Sequence, residues 1–313
     1  MLAVPFYIVL NSGSGQNDTE ATCREIADAL TAAGRDHEIL RVDDPARLGE
    51  IAREAVAQAQ QNHGIVVAVG GDGTLNAVAQ ATLGSGCQFG AIPQGTFNYF
   101  GRTHGISSDA REAARALLSA RVTPVQVGLV NDRVFLVNAS LGLYPRSLED
   151  REEQTRRYGR SRLIAAWAVL VTIFRGFRPL ALELEHDGRT RHLRTLTLFV
   201  GNNRLQLEQV GPDDAQTVEE GKLVAIELLP MPTLSLLGLL LQGSLGQLGV
   251  AQGVASFALT RLTVTPASRR VRRLKIATDG EVCWMDTPIE FRVAPEPLLL
   301  LTPIDAVPEI AAR

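Results

Sequence analysis

Residues 65–76, Ile-Val-Val-Ala-Val-Gly-Gly-Asp-Gly-Thr-Leu-Asn, constrain this chain more than any other stretch. Residues 65–69 form a continuous apolar run rich in β-branched side chains, which suits a strand buried on both faces of a parallel sheet. Gly70, Gly71 and Gly73 follow at once, and from Leu75 the pattern turns helical through Val78, Ala79 and Thr82. A strand, a glycine turn and a helix start in that order aim several unpaired N–H groups at one spot, backed by the positive end of the helix dipole. Such a spot receives phosphate. Asp72 and Thr74 sit inside it. A carboxylate there would repel a bare phosphate, so the ligand expected is an Mg²⁺-nucleotide, with Asp72 acting on the metal directly or through water.

The first 120 or so residues repeat the strand-then-helix alternation. Strands are expected at residues 6–10, 37–42, 65–69 and 87–92. Helices are expected after Thr19, with Cys23, Ile26, Ala27 and Leu30 inward, and over residues 48–60, with Ile51, Ala55 and Val56 inward. This predicts an α/β domain built on a parallel sheet with both faces covered. Nucleotides bind beyond the carboxyl ends of such strands. Two more small-residue loops fall there: Asn11-Ser12-Gly13-Ser14-Gly15, and Pro93-Gln94-Gly95-Thr96-Phe97-Asn98. Thr96 can cap the next helix or donate to a phosphate oxygen.

Composition narrows the chemistry. Formal charge is −3, from 31 basic and 34 acidic side chains, so no global nucleic-acid footprint exists. Lys222 and Lys275 are the only lysines and the Walker sequence is absent, so any phosphate grip must come from backbone amides or arginine. Cys23, Cys87 and Cys283 stand far apart, which fits a reducing compartment with neither disulfides nor a zinc site. The apolar start at residues 2–10 lacks a basic leader and is too short for a signal peptide, and no uncharged apolar run reaches the ~20 residues of a membrane span. A cytoplasmic protein is expected.

Beyond about residue 125 the pattern becomes short alternating runs. Residues 125–130 and 133–139 flank Asn131-Asp132, and residues 180–185 and 192–200 flank Asp187-Gly188, both two-residue hairpin signals. Further strands are expected at 222–229, 257–265, 269–277 and 288–293, so the second domain reads as a mainly antiparallel β-sandwich. Residues 156–178 differ. Their uncharged centre contains Trp167, flanked by Arg156, Arg157, Arg160 and Arg162 before it and by Arg175 and Arg178 after it. Such a helix suits an anionic membrane surface or a core helix with solvated ends. Residues 233–248 are leucine-rich and broken by glycine.

Gly-Gly-Asp-Gly-Thr resembles the signature shared by the diacylglycerol kinase catalytic domain, the NAD kinases and the phosphofructokinases. Together with Pro-x-Gly-Thr-x-Asn-x-Phe-x-Arg at residues 93–102, it resembles the bacterial soluble lipid kinases of the diacylglycerol kinase and sphingosine kinase superfamily. Tyr99 stands where that family usually has Asp. The resemblance implies a nucleotide-binding domain over 1–124, a lipid-substrate domain over 125–293, and a tail, 294–313, that returns to the first domain. It implies ATP and Mg²⁺ as cofactors, with Asn11, Ser12, Gly13, Ser14, Gly15, Gly70, Gly71, Asp72, Gly73, Thr74, Asn76, Gly95, Thr96 and Asn98 around the nucleotide.

The same resemblance gives the late Asp279-Gly280-Glu281 a catalytic reading: Glu281 as general base on the lipid hydroxyl and Asp279 orienting it or the metal, with Asp72 at the nucleotide. It would set the base across an interdomain cleft from the triphosphate. Asn202-Asn203 also fall at familiar places. A structural Mg²⁺ is implied at Glu220, with Thr217 and Lys222 offering carbonyls, although Glu stands where the family commonly has Asp. The expected activity is transfer of the γ-phosphate of ATP to a lipid hydroxyl at the membrane surface, by an enzyme held there peripherally through residues 156–178. An NAD kinase and a catalytically silent lipid or nucleotide sensor are the alternatives. No nucleic acid partner is expected, and a homodimer stays open.

Overall fold

The structure, a computed structural model, describes residues 4–13, 19–142, 179–208, 216–218, 220–230 and 253–304. The expectations for Ser14, Gly15, residues 156–178 and residues 233–248 fall outside these. The chain divides into two compact units, Met1–Val127 with Ala294–Arg313, and Gly128–Val293.

The first unit is an α/β domain. Its strands are β1 (Phe6–Asn11), β2 (His37–Val42), β3 (Ile65–Gly70), β4 (Gln88–Pro93) and β5 (Arg121–Val125), with β18 (Leu298–Thr302) numbered in chain order. They lie in the order β2-β1-β3-β4-β18-β5. All neighbours are parallel except β5, which runs antiparallel to β18. Helices α1 (Thr19–Ala32), α2 (Leu48–Asn62), α3 (Asp72–Thr82), α4 (Tyr99–Thr103) and α5 (Ala110–Leu118) make the connections. Every residue of β3 is buried, as its unbroken Ile-Val-Val-Ala-Val run requires. Each such Val or Ile contributes about 1.5–3 kcal/mol relative to exposure.

One helix detail differs from the periodicity reading. The buried stripe of α1 is Thr22, Ile26 and Leu30, one position round from the expected Cys23 and Ala27. Pro93 is the last residue of β4, paired with Gly70. Pro124 is tolerated in β5 because β5 is an edge strand.

The second unit holds two antiparallel sheets. One contains β6 (Gly128–Val130), β7 (Arg133–Phe135), β9 (Leu180–His186), β10 (Arg189–Thr195), β14 (Arg261–Pro266) and β17 (Ile289–Val293), in the order β10-β9-β14-β17-β6-β7. The other contains β8 (Asn138–Gly142), β11 (Thr197–Gly201), β12 (Leu223–Leu228), β13 (Val254–Leu259), β15 (Arg273–Thr278) and β16 (Glu281–Asp286), in the order β13-β12-β11-β8-β15-β16. A short helix, α6 (Arg204–Glu208), follows β11. One core, including Phe135, Leu141, Leu184, Leu198, Ile276 and Phe291, draws on both sheets, as a β-sandwich requires.

The strands here are shorter than the alternating runs that contain them. Residues 192–200 break at Leu196 into β10 and β11, residues 257–265 break at Thr260 into β13 and β14, and residues 133–139 break at Leu136 and Val137 into β7 and β8. In each case the two pieces belong to different sheets. Residues 125–130 likewise divide, β5 joining the first unit's sheet and β6 the second unit's. A one- or two-residue corner between sheets keeps extended backbone and alternating polarity, so periodicity passes through it unmarked. Gly142 shows how tight such a corner is: its φ is +105°, and a Cβ there would lie 2.4 Å from the Leu196 carbonyl oxygen.

Candidate active site

In the first unit the expected loops come together at the carboxyl end of the sheet. Gly71 is the N-cap of α3 and offers no side-chain acceptor, so the first-turn amides of that helix have no side-chain cap. Thr74 is therefore the third helical residue and not the cap. Its Oγ1 accepts a 2.9 Å hydrogen bond from Asn11 Nδ2, while Asn11 Oδ1 accepts from the Gly13 N–H at 3.1 Å. One side chain thus ties the loop after β1 to the start of α3. Ser12 Oγ donates to Asp43 at 2.7 Å, and Thr19 Oγ1 donates to the Ser12 carbonyl at 3.2 Å.

The third loop packs on the second backbone to backbone. The Gln94 N–H donates to the Gly70 carbonyl at 2.7 Å. A Cβ on Gly95 would meet Asn98 Oδ1 at 2.8 Å, Gly71 Cα at 3.1 Å and Asp72 N at 3.6 Å. The glycine is therefore dictated by how closely the two loops approach. Asn98, buried and in the left-handed region at φ 49°, accepts from the Gly95 N–H at 2.8 Å and is the N-cap of α4. Thr96, expected as that cap, is instead exposed. Asp72 and Gly73 are partly exposed, whereas Asn76 is buried. Phe97 stacks on Tyr99 at 5.9 Å with an interplanar angle of 9°, and the Arg102 guanidinium lies 6.0 Å from the Tyr99 ring.

Under this loop, α4 ends on His104, whose ring meets Phe100 edge-on at 4.8 Å. Burial pushes the His104 imidazole down to about 4 from the ordinary 6.5. The unfolded chain would bind that proton first, so this contribution to stability is whole above pH 6.5 and is lost as pH falls toward 4. Because His104 keeps part of its surface on solvent, the expected loss between pH 7 and pH 5 is roughly 1 kcal/mol rather than the ~2 of full desolvation. Urea unfolding of the parent and of His104→Gln at both pH values checks this; the variant should show a smaller difference.

In the second unit Asp279 and Gly280 form the two-residue turn between β15 and β16, with φ of 47° and 94°, as a type I′ hairpin loop demands. The Asp279 carboxylate accepts three backbone N–H groups: Leu136 at Oδ2 (2.7 Å), and Val137 and Asn138 at Oδ1 (both 2.9 Å). Its own N–H donates to the Asn138 carbonyl at 2.9 Å. Asn202 serves the opposite side of the same corner. Its Nδ2 donates to the Leu136 carbonyl at 3.1 Å and its N–H to the Val137 carbonyl at 2.8 Å. Asn138 Nδ2 then donates to Gln206 Oε1 at 3.0 Å, and Asn203 Oδ1 accepts from the Gln206 N–H at 3.2 Å.

Glu281, two residues past Asp279, is half exposed and takes Arg133 Nη2 at 2.8 Å. Arg133 escaped the sequence reading because an arginine after a hairpin turn carries no signal of its own. Asn202 was flagged by its position alone; Leu136, Val137 and Asn138 act through backbone amides, for which no residue type is diagnostic.

The implied structural metal position lies just before β12. Glu220 and Lys222 pair with each other at 3.1 Å, and Thr217 precedes them in a short helical turn. Among the described residues no group of three His, Cys, Asp or Glu side chains comes together to hold a metal ion. Among the same residues no helix is long and apolar enough to cross a membrane.

Residues 5–130, which include all three loops of the first unit, match the model of the diacylglycerol kinase catalytic domain. Over those residues the chain is similar to the diacylglycerol kinase catalytic domain. Diacylglycerol kinases of Staphylococcus aureus, strains JH9 and Newman among them, are 28% identical over 213 residues, covering 66% of this chain and 65% of theirs. The match thus spans slightly less than two thirds of those relatives. Among solved structures, one assigned as a diacylglycerol kinase from Bacillus anthracis str. Sterne superposes with a TM-score of 0.73, at 19% identity over 98% of this chain and 100% of its own. A second from the same organism gives 0.67 at 17% identity, over the same shares. At those identities the likeness is one of fold, and it covers both the α/β unit and the antiparallel unit.

Proposed function

We propose that this chain is an ATP-dependent lipid kinase, transferring the γ-phosphate of ATP to a hydroxyl of a diacylglycerol-like or sphingoid lipid. The observation that carries this reading is the start of α3: first-turn amides with no side-chain cap, opened by Gly71, overlaid by Gly95 and fixed by Asn11, within a diacylglycerol kinase catalytic domain. Backbone amides at a helix N-terminus suit a polyphosphate and need no lysine. Asp72 would hold the magnesium that accompanies the nucleotide, and that ion supplies neutralisation of the phosphate charge.

In this reading the nucleotide falls to the first unit and the acceptor lipid to the second. Glu281 is the base that takes the acceptor hydroxyl's proton, and Arg133 orients its carboxylate. Asp279 acts as a positioning residue, because its carboxylate is committed to the corner at residues 136–138. Phosphoryl transfer depends mostly on alignment and charge neutralisation, so a fixed carboxylate matters more than a strong base.

Purified protein, ATP-Mg²⁺ and a panel of diacylglycerol, sphingoid and ceramide-like acceptors in mixed micelles form the test, with mass-spectrometric detection of product. Glu281→Gln should lower turnover roughly 10²- to 10⁴-fold, the usual contribution of a general base. Nucleotide affinity should stay within about threefold, since that carboxylate has no part in the amide cradle. Failure to phosphorylate any acceptor, by protein shown to be folded, would overturn the reading; NADP formation in a parallel assay would redirect it to NAD.

A further inference from the structure

One corner of the second unit carries a charge pattern that the proposed chemistry does not use. Residues 269–275 read Arg-Arg-Val-Arg-Arg-Leu-Lys, five cations in seven positions of a chain whose net charge is −3. They form the turn after β14 and the start of β15. Arg269 through Arg273 are exposed, Val271 among them at 41%, and Leu274 alone in the run turns into the core. The neighbouring strand β16 lies at the edge of its sheet.

On that strand, opposite Lys275, stands Trp284, exposed at 54%. The Lys275 ammonium lies 5.2 Å from the Trp284 ring centroid, and Arg273 Nη2 donates to the Trp284 carbonyl at 3.4 Å. Thr287 fastens the turn to the end of the strand, its N–H and Oγ1 donating to the Arg272 carbonyl at 2.9 and 3.2 Å. The acids on β16 are both matched: Asp286 by Arg273 at 3.3 Å, and Glu281 by Arg133. Arg269, Arg270 and Arg272 make no ion pair among the described residues. An indole, an exposed valine and a surplus of cations thus share one corner.

We propose that this corner, Arg269–Lys275 with Trp284, is a docking surface for an anionic phospholipid bilayer. Cations supply long-range attraction to the lipid phosphates, and arginine stems can lie along the headgroup boundary while their charges stay wet. Tryptophan prefers that boundary because its ring is apolar and its N–H is a donor. Val271, displayed between arginines, gains from contact with acyl chains and gains nothing from the phosphate backbone of a nucleic acid. The surface complements the lipid acceptor proposed above, yet its test requires no turnover and stands apart from that reading.

The test is flotation of the full chain with vesicles of phosphatidylcholine, with and without phosphatidylglycerol, at low and high salt. Binding is expected only with phosphatidylglycerol and should weaken as salt rises. Arg269→Glu/Arg270→Glu/Arg272→Glu should lower the bound fraction at least about tenfold, and Trp284→Gln about threefold or more. Thermal unfolding should match the parent for both variants, since the altered side chains are exposed. In a Trp167→Phe background, the emission of Trp284 should shift to the blue when phosphatidylglycerol vesicles are added. Equal binding by the charge-reversed variant, or no binding by the parent, would overturn the proposal. So would parent protein that prefers single-stranded RNA to vesicles and loses it on charge reversal, which would mark a nucleic-acid surface. Vesicle binding that follows the variants in a protein that phosphorylates no lipid would refute the kinase reading alone.

Discussion

Asp279→Asn is expected to destabilise the second unit by roughly 3 kcal/mol and to abolish most turnover at the same time. The parent carboxylate receives three N–H groups, two on Oδ1 and one on Oδ2. Asparagine can keep the pair on its oxygen, but its amide nitrogen then faces the Leu136 N–H, donor against donor. The substitution removes a charge-assisted bond and leaves a buried amide without an acceptor, each of which costs about 1–3 kcal/mol. The turn itself should survive, because asparagine tolerates the left-handed backbone at φ 47° as readily as aspartate. A fall of roughly 6–12 °C in the unfolding midpoint of that unit is the corresponding thermal shift. Turnover measured well below the new midpoint separates the two effects. If Asp279 positions Glu281 through the corner, kcat falls while the apparent KM for nucleotide stays near the parent value. A variant as stable and active as the parent would refute the role assigned to this carboxylate.

Gly95→Ala carries the second large effect, on binding rather than on folding. The added methyl would lie 3.1 Å from Gly71 Cα and 2.8 Å from Asn98 Oδ1, so the two loops must part by several tenths of an ångström. Helix-start amides hold a phosphate only while their spacing and aim are kept, and nucleotide affinity should drop roughly 10- to 100-fold. Far-ultraviolet circular dichroism and the unfolding midpoint should change little, because the loop lies outside the buried strands. Asn98→Ala in the same chain relieves the side-chain conflict but leaves the backbone one and removes the tie to the Gly95 N–H. The double variant is therefore expected to recover little. Titration calorimetry with ATP-Mg²⁺ reads both outcomes, and undiminished affinity in Gly95→Ala would remove this loop from the cradle.

These two residues mark how far the sequence could be read. Gly95 was visible because a glycine-rich turn after an apolar strand has few other uses, and the same holds for the run from Ile65 to Gly73. Asp279 was visible as half of a hairpin turn, and the turn is there. Its partners were not, since Leu136, Val137 and Asn138 present bare amides from some 140 residues earlier in the chain. Arg133 was hidden for a related reason: an ion pair between distant strands depends on sheet order, which no local pattern encodes. The sandwich corners at Leu196 and Thr260 were missed because a change of sheet costs the chain no change in periodicity. The placement of Leu298–Thr302 came only through resemblance, as five apolar residues fit many sheets equally well.

That strand also imposes an order of events on a ribosome-bound chain. β18 lies between β4 and β5, and β5 has no other neighbour in its sheet. Residues 6–125 can emerge from the exit tunnel and still lack the piece that joins their edge strand to the rest. Gly128–Val293 is continuous, so it can finish folding during that wait. Until residue 302 has been polymerised, the flank of β4 stays open, with Phe89 and Ile92 nearby, and is a template for intermolecular pairing. Nascent chains stalled before residue 298 should therefore be the species that chaperones retain.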